Sequence, residues 1–123
     1  MSIQDQSNYA TNKLDKLLAD NNPLLPIILS TVPNTLAIYA FGSRVQDVAD
    51  SSSDLDLAVL VAGYAEPLLL WDLSGHLADM AKCEVDLLDM RAASTVMQYQ
   101  ILTTGIRLWA KQLEAGLFES FVM

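Results

Sequence analysis

Apolar residues along the chain recur at two different intervals, and the changes from one to the other predict the elements. Between Gln6 and Asp20, Tyr9, Leu14, Leu17 and Leu18 return at helical spacing, and "DNNP" closes the segment with poor helix formers and a proline. The segment reads as an amphipathic helix. "PLLPIILSTV" predicts a short second helix with Pro23 in its first turn, and "PNT" then turns the chain into "LAIYAFG", an apolar run rich in strand-favouring residues. Leu36 to Phe41 is expected to be a strand. After the polar stretch "SRVQDVADSSS", which combines a helical turn with a loop, "DLDLAVLV" alternates acid and leucine before becoming wholly apolar, as a central strand would.

The second half continues the alternation. Pro67 opens a helix running to about Lys82, with Leu70, Leu73, Leu77, Met80 and Ala81 on its buried side, and "CEVDLLDM" reads as a third strand. A helix from about Ala92 to Thr104 is expected to stop at Gly105 in a left-handed turn, followed by a short strand "IRLWA" and a final amphipathic piece from Lys111. Strands joined by a short segment tend to pair antiparallel, whereas the strand reached through the Pro67 helix can run parallel by a crossover. The pattern predicts an α/β (α+β) fold, a small mixed β-sheet backed by helices. The apolar end, with Leu117, Phe118, Phe121, Val122 and Met123, is expected either to pack on the sheet or to meet a partner.

Composition narrows the class. A length of 123 residues is that of one domain, and 52 % hydrophobic against 18 % charged residues is ample core material for a globular protein. The longest apolar runs fall short of a membrane span and the polar N-terminus does not resemble a signal peptide, so no membrane partner and a soluble, cytoplasmic protein are expected. With 15 acidic and 7 basic residues the formal net charge is −8, which makes direct nucleic-acid binding unlikely through simple repulsion. Cys83 is the only cysteine and His76 the only histidine, so neither an internal disulfide nor a cysteine metal cluster is available. Cys83 reads as a small, half-buried apolar residue, and His76 as a surface or packing residue.

Against that background the acids of "FGSRVQDVADSSSDLDLAVLV" stand out. Side chains on a strand alternate between faces, so Asp54 and Asp56 project the same way from the head of a buried strand. Like charges held close together repel and raise one pKa unless a cation sits between them, and a hard divalent ion such as magnesium is the simplest compensation. Asp86 in "VDLLD" is the third candidate, since an adjacent strand would let three carboxylates converge on two ions roughly 3.5–4 Å apart, as in phosphoryl-transfer sites. Asp89 points with Val85 and Leu87, or has left the strand, and is not included. Gly42 permits close backbone approach, Ser43 adds a hydroxyl and an N–H, and Arg44 would place a positive charge near a leaving pyrophosphate.

These residues carry a resemblance. The Gly-Ser pair, the Asp-x-Asp ten residues later, "VDLLD" and "TTGIRLW" are similar to the signature of the nucleotidyltransferase superfamily that includes DNA polymerase β, and particularly to its minimal nucleotidyltransferase (MNT) members. The likeness covers about Leu36 to Trp109. It implies a polymerase β-like palm in which Asp54 and Asp56 bind two magnesium ions and Asp86 completes the first site and helps deprotonate the attacking hydroxyl. It further implies that Gly42 and Ser43 contact the phosphates of a nucleoside triphosphate. One departure is Asp47, where many relatives carry glycine; Asp47 and Asp50 read as solvated loop charges. MNT proteins are typically paired with a HEPN-domain RNase, so the resemblance implies a single minimal nucleotidyltransferase domain, residues 1–123, acting as an antitoxin. In that role it would transfer AMP from ATP to a tyrosine of the toxin. A neutralising antitoxin that works by occlusion, and a small-molecule nucleotidyltransferase, are the alternatives.

Overall fold

The computed structural model describes residues 23–42 and 54–122. The helix expected between Gln6 and Asp20 lies outside the described residues. The first described element is helix α1, Leu25–Thr31, with Pro26 rather than Pro23 in its first turn. There the missing proline N–H is one of the donors that a helix start leaves without a partner in any case. Asn34, with φ 59°, provides the left-handed turn into strand β1, Thr35–Phe41, a conformation that asparagine tolerates better than most residues. Strand β2 spans Leu55–Val61, helix α2 Pro67–Ala81 and strand β3 Val85–Asp89. Helix α3, Thr95–Thr104, strand β4, Ile106–Ala110, and helix α4, Gln112–Val122, follow.

The strands form one mixed sheet in the order β3-β2-β1-β4. β1 pairs antiparallel with β2 on one side and β4 on the other, whereas β3 joins β2 parallel after the α2 crossover, as the connection lengths predict. On one face, Ile28, Leu70, Leu73 and Leu77 from α1 and α2 pack against Ile38, Leu57, Val59, Val85 and Leu87. On the other, Ile101, Ala115 and Phe118 from α3 and α4 pack against Ala37, Tyr39, Ala58 and Leu60. β1 and β2 are therefore covered on both sides, which explains why their sequences are almost continuously apolar.

Three local expectations are corrected. Met80 is 41 % exposed, because it lies at the margin of the stripe set by Leu70, Leu73 and Leu77 while Ala81 continues it. The helix expected from Ala92 begins at Thr95, because Ser94 takes the capping position and its side chain accepts from the Met97 N–H at 3.1 Å. Gly105 is extended (φ −87°, ψ −179°) rather than left-handed. Its glycine is required by space: a Cβ there would lie 2.5 Å from the Ile101 carbonyl oxygen and 2.7 Å from that of Ala40.

Phe118 packs on the sheet with the Arg91 guanidinium 5.1 Å from its ring centre, while Leu117 and Phe121 are exposed. Cys83 is half-buried against the core and His76 is exposed. Among the described residues no helix is long and apolar enough to cross a membrane. From the crowding at Gly105, Gly105→Ala is expected to lower the unfolding free energy by about 1–3 kcal/mol, measured by urea denaturation. A change within error would show that α3 and β1 separate more easily than this packing implies.

Candidate active site

The site is built at one end of the sheet, where β1 finishes and β2 and β3 begin. Asp56 is the second residue of β2 and stands in register with Asp86 of β3 on one side and Phe41 of β1 on the other. Register partners share a face, so Asp86, Asp56 and Phe41 form one row across three strands. Asp54 immediately precedes β2 and is exposed. Alternation puts it on the side of Asp56, opposite the buried Leu55 and Leu57.

The carboxyl group of Asp56 is pushed up to about 6, first by burial, then by the charge of Asp86 and a hydrogen bond with it, and last by the charge of Asp54. A protein that brings a half-buried carboxyl into register with a second acid holds a proton where a cation would neutralise the pair equally well. Among the described residues no three His, Cys, Asp or Glu side chains are gathered closely enough to hold a metal ion by themselves. Asp56 and Asp86 meet, while Asp54 acts on them through its charge from the mouth of the strand. The pair fits a hard divalent ion through its oxygen donors and the mutual repulsion of its charges.

Gly42 closes this end of β1 with φ 82°, a conformation favouring glycine, and a Cβ there would overlap the Asp56 carboxylate. The glycine expected to admit a phosphate thus first admits the acid. Ser43, Arg44, Asp47 and Asp50 lie outside the described residues.

Asp89 has a different task. It is 9 % exposed, accepts from the Ala65 N–H at 2.9 Å and the Arg91 N–H at 3.0 Å, and ties the end of β3 to the start of the α2 connection. Its exclusion from the acidic cluster agrees with this.

A second polar cluster on the acids' sheet face carries no local sequence signal. The Tyr39 hydroxyl donates to Glu119 at 2.8 Å, and Arg107 Nη1 contacts the same carboxylate at 3.1 and 3.3 Å. Burial and Glu119 raise the Tyr39 hydroxyl well above the usual tyrosine range, so it remains a donor. Tyr39 and Glu119 are 80 residues apart, which is why only the fold reveals the contact. A cavity of about 270 Å³ adjoins this cluster. A larger one, about 520 Å³, lies at the opposite end of the sheet between Leu36, Tyr64, Arg91 and the α4 residues Leu117 and Phe121, away from the acids.

The sequence profile described as "Polymerase beta, Nucleotidyltransferase" matches residues 25–114, a span that includes Gly42, Asp54, Asp56 and Asp86. The chain belongs to this nucleotidyltransferase family. It is 40 % identical over 107 residues to the protein adenylyltransferase MntA of Shewanella oneidensis, covering 87 % of this chain and 70 % of MntA. Among solved structures it is similar to a toxin–antitoxin crystallised with AMP-PNP, with TM-score 0.77 and 35 % identity over 83 % of this chain and 82 % of that one. It is also similar to a chain in the complex of tri-AMPylated Shewanella oneidensis HEPN toxin with MNT antitoxin. There the TM-score is 0.73 and the identity 33 %, covering 85 % of this chain and 81 % of that one.

The raised Asp56 pKa makes a prediction about the ion-free protein. The folded state holds this proton more tightly than the unfolded chain, whose aspartate has the ordinary value of 3.8. The resulting stabilisation is complete below 3.8 and is lost as the pH rises through about 6. At neutral pH the ionised carboxylate therefore destabilises the fold. Asp56→Asn is expected to stabilise the ion-free protein at neutral pH by on the order of 1 kcal/mol, after allowing for solvent screening, and to lose that advantage in acid. Urea unfolding at the two pH values checks this; a uniform loss of stability would contradict it.

Proposed function

We propose that this chain is a protein adenylyltransferase antitoxin, transferring AMP from ATP to a tyrosine hydroxyl of a HEPN-family RNase and so inactivating it. The observation that carries the reading is the Asp56–Asp86 pair, in register and mutually repelling beside the Gly42 turn. The relatives give it direction, since one is a protein adenylyltransferase and others are toxin–antitoxin complexes, with AMP-PNP or with an AMPylated HEPN toxin.

In this reading Asp54 and Asp56 hold two magnesium ions and Asp86 completes the first site. Magnesium bound there supplies Lewis acidity, acidifying the attacking hydroxyl and neutralising charge on the departing oxygens. Asp86 faces the acceptor and takes up the phenolic proton as the tyrosine oxygen bonds to the α-phosphorus. The bond from that phosphorus to the bridging oxygen breaks, and pyrophosphate leaves with the electron pair. Gly42 brings backbone close to the phosphates, with Ser43 and Arg44 following it in sequence as further phosphate contacts. The acidic net charge of −8 suits an encounter with a basic, RNA-cleaving surface, and the reaction belongs in the cytoplasm, where ATP is abundant.

The test is incubation with labelled ATP, magnesium and the HEPN protein from the neighbouring reading frame. Label is expected on the partner, falling by roughly 10²-fold or more in Asp54→Asn, Asp56→Asn or Asp86→Asn. Variants that label as well as the wild type would remove the acids from the mechanism. A wild type that transfers nothing, with all three variants still protecting cells, would establish occlusion instead.

A further inference from the structure

The end of the sheet away from the acids is apolar and only partly covered. In the 520 Å³ groove there, Leu36, Arg91 and Phe118 are half-buried and form the floor. Tyr64, Leu117 and Phe121, which are 75, 65 and 91 % exposed, stand around it. Phe121 and Tyr64 alone leave roughly 300 Å² of aromatic surface in water. With Leu117 added, this is the size at which an exposed apolar patch on a single chain marks a binding surface. Arg91 is held in place, since its Nε donates to the Val61 carbonyl at 2.8 Å and its guanidinium lies over the Phe118 ring. A second aromatic ring entering the groove would meet that cation as well as apolar walls.

We propose that this groove is the interface between two copies of the chain, related by a twofold axis, with Phe121 of each copy entering the groove of the other. A twofold interface requires one patch to carry both the projecting and the receiving part, and here the most exposed aromatic side chain stands at the rim of the groove it would fill. Charge selects the same occupant. Of the described residues lining the groove, Arg91 alone is charged, so two chains of net charge −8 repel least when they meet at this end. A basic, RNA-cleaving surface gains nothing at a groove whose one charge is positive, and is drawn to the acids instead. Two copies that bury Tyr64, Leu117, Phe121 and the groove floor together remove on the order of 1,000 Å² from water, the area at which specific interfaces begin. Asp56 and Asp86 lie at the opposite end of the sheet, so pairing leaves both acidic sites open whatever reaction they catalyse.

Sedimentation velocity of the full chain over a concentration series tests this. The wild type is expected to show a reversible monomer–dimer equilibrium. Phe121→Lys, which removes the aromatic ring and sets a second cation against Arg91, is expected to weaken the dimer by about tenfold or more. Phe121→Ala gives the same direction without the added charge, and Phe121→Trp, which keeps an aromatic ring, is expected to retain the dimer. At 91 % exposure, position 121 tolerates these changes without loss of the fold. Trp71→Lys, at another exposed position that does not line the groove, is expected to leave the dimer unchanged. A wild type that stays monomeric at every concentration would overturn the inference, as would a dimer indifferent to Phe121→Lys or weakened equally by Trp71→Lys. A monomeric wild type whose complex with the neighbouring HEPN protein is weakened by Phe121→Lys would give the groove to that protein instead.

Discussion

Two carboxyl groups in register on neighbouring strands, at the partly buried end of a sheet, set the terms for the rest of this molecule. Without a cation, Asp56 relieves the repulsion only by keeping its proton to about pH 6. A fold selected for stability alone would place apolar or complementary residues at such a cross-strand pair, since like charges directly opposite are destabilising. The arrangement makes chemical sense when a divalent ion, which also binds phosphate oxygens, supplies positive charge between the two acids. Cost in the free protein and binding capacity in the loaded one come from the same interaction.

Much of the surrounding structure serves to hold that pair in place. β1 and β2 are buried on both faces, so the strand that carries Asp56 cannot slip register without moving Leu57, Val59 and Val61 out of one core layer. The α2 crossover fixes β3 parallel to β2 and brings Asp86 opposite Asp56 rather than one residue out of step. Asp89 anchors the far end of β3 to the backbone of Ala65 and Arg91. Gly42 leaves the space the Asp56 carboxylate occupies, so a glycine associated with phosphate binding has a duty before any ligand arrives.

Those features differ in how readable they are from the chain itself. The period-two alternation of "DLDLAVLV" puts Asp54 and Asp56 on one face and the crossover length allows a parallel neighbour, because both are local or topological constraints, whereas the register that sets Asp86 opposite Asp56 is visible only in the folded sheet. The exclusion of Asp89 followed from the same alternation in "VDLLD". A glycine after a helix usually signals a left-handed stop, whereas at Gly105 the close approach of the Ile101 and Ala40 carbonyls, the latter visible only once α3 packs on β1, decides the residue. The Tyr39–Glu119–Arg107 cluster was invisible for a related reason: its members come from β1, α4 and β4, and no spacing rule connects them. Met80 shows the limit of helical periodicity, which locates a stripe better than its edges.

The central claim is that the Asp56–Asp86 pair is the seat of a divalent ion. Manganese, a paramagnetic stand-in for magnesium, added below stoichiometry with AMP-PNP to the isotope-labelled protein, tests it directly by nuclear magnetic resonance. The account predicts that the amide signals of Leu55, Asp56, Asp86 and Leu87 broaden first, and that Asp56→Asn abolishes this selectivity. Broadening centred on other acids such as Asp72 or Asp79, or spread evenly over the surface, would contradict it.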